Sequence, residues 1–152
     1  MEFVLFLDKI ELDIIRMIEK VGYSTEENTS LCLLGKDYVG FLRKRQRKVV
    51  ICTENAKSRE NYQIQGLGNK DSFEKVSRHL KKAIRHEAVH IAQECNNGQL
   101  LKSKEFLTIN PAKLKALNGS IIISGEIEKE KEAYILEDRP KLIKNELIKY
   151  CL

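Results

Sequence analysis

Residues 86–90 read His86-Glu87-Ala88-Val89-His90, two histidines four apart with a glutamate beside the first. Imidazole nitrogens are good zinc ligands, and side chains four apart on a helix lie one above the other on the same face. Both rings can therefore reach one ion. Glu87 then adjoins the coordination position they leave open, where a carboxylate can take a proton from an attacking water while the metal polarises a carbonyl. This is the H-E-x-x-H arrangement of a zinc hydrolase. The chain has three histidines, and two of them are in this motif.

Catalytic zinc takes a third protein ligand. His79 shares the face of His86, but seven residues correspond to about 10 Å of helical rise, too far for one ion on a straight helix. It is expected on a surface or cleft wall. The acidic segment 126–134 is the better source. Glu130 has Ile127 three residues before it, Ala133 three after and Tyr134 four after, so it projects from a face that is apolar on both sides. Glu132 neighbours Glu128 and Lys129 as well as Ile135 and Leu136. Glu126 has Ile122 and Ile123 on one side, with Lys129 and Glu130 on the other. A carboxylate on a buried face needs a partner, which zinc provides. Glu130 is the expected ligand, with Glu132 and Glu126 as its alternatives. Gln93, three beyond His90, lies on the zinc-facing stripe, where it either supports a ligand or sits half-exposed. Tyr134, Tyr62 and His79 are the candidates for stabilising an oxyanion.

The motif needs a helix, and residues 72–94 contain neither Pro nor Gly. Phe73, Val76, Leu80, Ala83, Ile84, Val89 and Ile91 recur at spacings near three and four. Asp71 or Ser72 can cap the start, and Asn96-Asn97-Gly98 supplies a stop. A first helix is expected over 8–21, closed by Gly22. A polar segment, 24–30, follows, then short strands at 31–34, 38–43 and 48–53, and a fourth at 61–65. After the motif helix come a short helix near 111–117 with a stop at Asn118-Gly119, a helix over 124–137, and a last one over 141–150 beyond Pro140. Strands before helices predict one α+β domain over 1–152. Residues 1–70 would hold the first helix and a small antiparallel sheet; 71–152 would hold the motif helix and the helical C-terminal part.

The motif followed by Glu130-Lys131-Glu132-Ala133-Tyr134 resembles the gluzincin zinc metallopeptidases. In that clan the third ligand is a Glu on a second helix, often written E-x-x-A-D or E-x-x-A-N in compact intracellular members. The resemblance spans 71–138. It implies the ligand place for Glu130, the small packing place for Ala133, and a small sheet whose edge strand holds an extended peptide. Tyr134 falls where the family often has an Asp or Asn that orients a zinc-bound His. The metzincin continuation is absent, since Gln93-Glu94-Cys95-Asn96 follows the motif.

Composition narrows the class. At 152 residues, 42% hydrophobic and 32% charged, the chain has enough apolar mass for a core and enough charge to be soluble. It has no run of about 18 apolar residues to span a membrane. The apolar start, 1–7, is too short for a signal-peptide core and lacks a small-residue cleavage site, so a cytoplasmic protein is expected. Cys32, Cys52, Cys95 and Cys151 form no C-x-x-C and are expected to be reduced, buried small residues. The net charge is +5, with Arg43, Lys44, Arg45, Arg47 and Lys48 clustered between two β-like runs. No aromatic residues interleave with them. They are expected to form a solvated hairpin tip, with nucleic-acid binding as the less favoured alternative.

The expected protein is a zinc metallopeptidase. His86, His90 and Glu130 hold Zn2+, Glu87 is the general base, and an extended peptide or protein substrate adds to the sheet edge. The alternatives are a zinc hydrolase acting on a non-peptide amide, and a zinc-stabilised binding module, the latter associated with nucleic acid through the basic tip.

Overall fold

The computed structural model describes residues 1–62, 69–102, 111–118 and 126–152, together with the backbone of 119–124. One long helix organises it. This helix, α3 (Lys70–Cys95), carries the H-E-x-x-H motif in its C-terminal third. Asn69 caps its start by accepting from the Asp71 N–H at 2.9 Å, two residues before Asp71 and three before Ser72, the predicted caps. Its end is the predicted one, with Asn97 at φ 57° and Gly98 at φ 73°, where Gly and Asn are favoured.

Around α3 pack α1 (Lys9–Lys20), α2 (Thr53–Arg59), α4 (Pro111–Ser124), α5 (Ile127–Leu136) and α6 (Pro140–Cys151), with a sheet of β1 (Ser24–Glu27), β2 (Gly40–Arg43) and β3 (Lys48–Ile51). The class is α+β, as the strand and helix patterns predict. The apolar stripe of α3, Val76, Leu80, Ile84, Ala88 and Ile91, is buried among Phe3, Ile14, Ile18, Ile51, Leu136, Ile143 and Leu147. Each such aliphatic side chain contributes about 1.5–3 kcal/mol by leaving water.

Several elements differ from expectation. The sheet is mixed: β3 pairs antiparallel with β2 and parallel with β1, in the order β1-β3-β2. The polar segment after α1 is strand β1, whose Ser-Thr-Glu-Glu sequence lacks the apolar alternation that identifies strands because it lies on a sheet edge, exposed or half-buried throughout. Residues Ser30–Leu34 form a 3-10 turn with Leu33 and Leu34 exposed. Helix α2 stands where no element is expected. Of the expected fourth strand, Asn61 and Tyr62 are in a turn and the rest lies outside the described residues. Helix α4 runs through Gly119 to Ser124, since a helix tolerates an interior Gly at a cost of about 1 kcal/mol.

The cysteines are paired rather than free. Cys32 bonds to Cys52, and Cys95 to Cys151, with Cα separations of 5.5 and 5.2 Å. Their spacing along the chain carries no sign of this, because tertiary packing brings the partners together. The second bridge ties the end of α3 to the end of α6. No helix among the described residues is long and apolar enough to cross a membrane.

The basic cluster is a hairpin tip between β2 and β3, as predicted. Its cations are partly spent on the protein: Lys44 pairs with Glu94 at 2.8 Å, Lys48 pairs with Glu26, and Arg47 lies over the Tyr23 ring.

Beneath the site, Glu11 of α1 is fully buried. Its carboxylate accepts from the Arg85 guanidinium and from the Asp8 N–H, and so clamps α1 to α3 next to His86. In oxidised protein, replacing Cys95 and Cys151 together with Ala is expected to cost about 2–4 kcal/mol of stability by urea denaturation. An unchanged midpoint would show that this pair is not bonded.

Candidate metal centre

Helix α5 lies antiparallel on α3. The contacts run in opposite order along the two helices, from Arg85 with Glu137, through His86 with Glu130, to Gln93 with the Lys129 carbonyl. Ala133, fully buried at the crossing, has no side chain beyond Cβ to hold the helices apart. The close approach brings Glu130 between the two motif histidines.

His86 Nε2 is 3.1 Å from Glu130 Oε2, His90 Nε2 is 3.0 Å from Glu130 Oε1, and the two Nε2 atoms are 3.2 Å apart. Ligands bound to one tetrahedral zinc at about 2.0–2.1 Å stand about 3.3 Å from one another. The donor set therefore has nearly the spacing of a metal's coordination shell, and His86, His90 and Glu130 could hold an ion.

The other ring nitrogens are occupied, which fixes the rings with Nε2 toward the centre. His90 Nδ1 pairs with Gln93 Oε1 at 2.8 Å, and His86 Nδ1 with Glu137 Oε2 at 3.1 Å. Such partners orient metal-binding imidazoles and set their tautomer. Gln93 is itself held: its amide donates to the Lys129 carbonyl at 3.1 Å and to Glu132 Oε1 at 2.9 Å. Glu137 receives the buried Lys113 ammonium at 2.9 Å.

Each predicted residue now has a place. Glu132 faces Gln93 and the Leu101 N–H, not the histidines. Glu126 is exposed and pairs with Lys129 at 3.1 Å. Ile127, expected to help bury Glu130, is half-exposed, being at the first turn of α5. Tyr134 packs its ring on His86 with centroids 4.4 Å apart, while its hydroxyl donates to the Ala116 carbonyl at 3.3 Å. The support of His86 falls to Glu137 instead. The sequence does carry a signal for it: Glu137 is seven residues after Glu130, two turns along the same stripe. His79 pairs with Glu60 at 2.8 Å, and Tyr62 packs on Phe6 and Phe73. Neither is placed with the metal cluster.

Glu87 lines the cleft beside the histidines, and among the described residues its carboxylate makes no hydrogen bond. Strand β2 crosses directly over it. A Cβ on Gly40 would sit 3.1 Å from Ala83 Cβ and 3.4 Å from Glu87 Oε1, so glycine permits this approach. β2 is an edge strand, and Gly40, Phe41 and Leu42 form one wall of a cleft of about 360 Å3 whose floor is His86, Glu87, His90 and Glu130.

Electrostatics follow from burial. Burial disfavours the His86 imidazolium, but the hydrogen bonds it donates to Glu130 and Glu137 outweigh it and raise its pKa to about 10. Burial opposes ionisation of Glu130 too, yet the two histidines hold its pKa far below the usual carboxylate range. Burial pushes Glu87 up, against the pull of His86 and His90. Protons thus supply positive charge that a cation would otherwise bring. Glu87, Glu130 and Glu137 are three buried carboxylates against one buried ammonium, Lys113. With the imidazoles neutral, two negative charges remain, matching a divalent ion.

Residues 3–152 match the family model described as Domain of unknown function (DUF8637), and the chain belongs to that family. No curated protein and no solved structure matches it.

Two outcomes are expected. At pH 7, below the raised pKa of His86, its proton must leave before its nitrogen can bind a metal, so titration with Zn2+ should release about one proton. Calorimetry in buffers of differing ionisation enthalpy reads this, and affinity should rise with pH toward 10. A buffer-independent enthalpy would contradict a metal bound through His86. Gln93→Ala should weaken Zn2+ by about 10–100-fold in competition with a chromophoric chelator. Unchanged affinity would remove Gln93 from the support of His90.

Proposed function

For this member of the DUF8637 family we propose a zinc-dependent metallopeptidase. The observation that carries the proposal is the convergence of His86 Nε2, His90 Nε2 and both Glu130 oxygens at ligand spacing. Burial of the acid and nitrogen donors together, with two carboxylate charges in excess, also supports it. The two-imidazole, one-carboxylate donor set suits zinc. Bound there, zinc supplies Lewis-acid polarisation and lowers the pKa of water to about 7.

The chain's own residues supply the rest. Glu87 adjoins His86 and opens onto the cleft, so its carboxylate can receive a proton from an attacking water and return it to a leaving amine. Burial raises its pKa above the ordinary carboxylate value, which makes it a stronger base than an exposed glutamate. Gln93 and Glu137 keep the imidazoles in one orientation, which holds the site preorganised. Strand β2 presents a free edge along the cleft. An extended peptide can pair with that edge, and its scissile bond then lies over Glu87 and the histidines. This edge favours a peptide over other amides, because backbone pairing is what a strand edge recognises.

Glu87→Gln keeps the side chain's shape and removes its basicity. It should bind zinc as the parent does, at about one ion per chain, and lose at least about 99% of peptide hydrolysis, the scale of general-base catalysis. The readouts are metal analysis and mass spectrometry of a peptide pool. Hydrolysis that persists in the variant would remove Glu87 from the mechanism. Zinc retention by a parent chain that cleaves nothing would instead favour a non-catalytic zinc module.

A further inference from the structure

The cleft does not end at the metal cluster. A second cavity, of about 370 Å3, adjoins it and shares Tyr38, Gly40, His86 and Glu87 with it. The two lie toward opposite ends of β2. The first extends along Phe41, Leu42 and Lys44; the second extends back along Asp37 and Val39. Their linings differ in charge. Beyond the shared residues, the first carries Phe41 and Leu42 on its wall, the acids Glu126 and Glu130, and one cation, Lys44, which is paired with Glu94. The second carries Arg59, Lys82, Lys113 and His79.

The basic residues of the second cavity are not equally engaged, and burial lowers the pKa of His79, so the standing cations are Arg59, Lys82 and Lys113. Lys113 is buried and committed to Glu137 and Asp138 at 2.9 and 2.8 Å. His79 is held by Glu60. Lys82 meets Asp138 only at 3.7 Å. Arg59, at the exposed end of α2, has no ion-pair or hydrogen-bond partner among the described residues. Against these the cavity sets Asp37 at its mouth, and Glu137, already neutralised by Lys113.

We infer that the substrate is a peptide with an acidic residue, or a terminal carboxylate, on the Asp37–Gly40 side of the scissile bond, where Arg59 and Lys82 receive it, and with an apolar residue on the Phe41–Leu42 side. This rests on the peptidase reading and specifies its substrate class. Guanidinium and ammonium groups on a cleft wall favour a carboxylate and repel a cation, so the discrimination works in both directions. Because Arg59 is exposed and Lys82 partly exposed, the preference should weaken with salt.

The test is binding, read apart from hydrolysis. Zinc-loaded Glu87→Gln full-length protein is titrated with fluorescein-labelled decapeptides that share a central Phe-Leu pair. They carry Asp-Glu or Lys-Lys toward one end or the other, which covers both chain directions. Anisotropy should show one placement of Asp-Glu bound about tenfold tighter than its Lys-Lys counterpart, equivalent to about 1.4 kcal/mol. Arg59→Glu with Lys82→Glu should abolish or invert that preference. Arg59→Gln with Lys82→Gln should flatten it, with circular dichroism unchanged from the parent. Equal affinity for acidic and basic peptides, or a preference that survives charge reversal, overturns the inference. Cleavage of the same peptides by the parent chain is scored separately. Cleavage without charge preference sinks this inference and keeps the peptidase; charge-selective binding without cleavage keeps the acidic-peptide site and sinks the peptidase.

Discussion

Burying Glu87, Glu130 and Glu137 around two imidazoles is the constraint on which the rest of the molecule turns. Each buried ion costs several kcal/mol unless it is paired and hydrogen-bonded. The fold meets this with specific partners: Lys113 neutralises Glu137, Glu137 and Gln93 hold the two rings, and Glu132 holds Gln93. What these partners leave is a pair of excess negative charges beside two convergent nitrogens. Hydrogen bonds to Glu130 and Glu137 raise the pKa of His86, and burial raises that of Glu87. A divalent ion balances the two excess charges.

The same constraint explains the packing. α5 must come close enough to α3 for one carboxylate to reach two rings, and Ala133 at the crossing makes that possible. β2 must lie close enough to cover Glu87 yet leave a cleft, and Gly40 makes that possible. Helix α3, which carries the two histidines, is tied down on both sides of the site. Glu11 and Arg85 anchor α3 to α1 on one side, and the Cys95–Cys151 bridge anchors it to α6 on the other. Placing the candidate ligands on packed helices and the proposed substrate-binding strand at a free edge separates a rigid centre from an accommodating surface.

Much of the site was legible in the sequence because helical periodicity is local. The spacing of His86 and His90 and the apolar neighbours of Glu130 each follow from positions within two turns, and the structure brings these three residues together. Gln93 was legible for the same reason. Glu137 lies on the stripe of Glu130, but the family pattern points to position 134 for the residue that orients His86, so its role is legible only from the structure. At position 134 the structure places a ring contact with His86 and sends the hydroxyl to Ala116. The disulfides, the polar edge strand β1 and the role of Gly40 were not legible, since all three depend on which segments meet in space. The passage of α4 through Gly119 shows the converse, a local stop signal overridden by its surroundings.

The most direct measurement is anomalous diffraction at the zinc edge from crystals of the zinc-loaded protein. A single peak is expected at about 2.0–2.2 Å from His86 Nε2, His90 Nε2 and a Glu130 oxygen, with Glu87 beside it and not bound to it. A zinc peak elsewhere on the molecule, or none while Glu130 remains bonded directly to both histidines, would contradict a metal centre at this site.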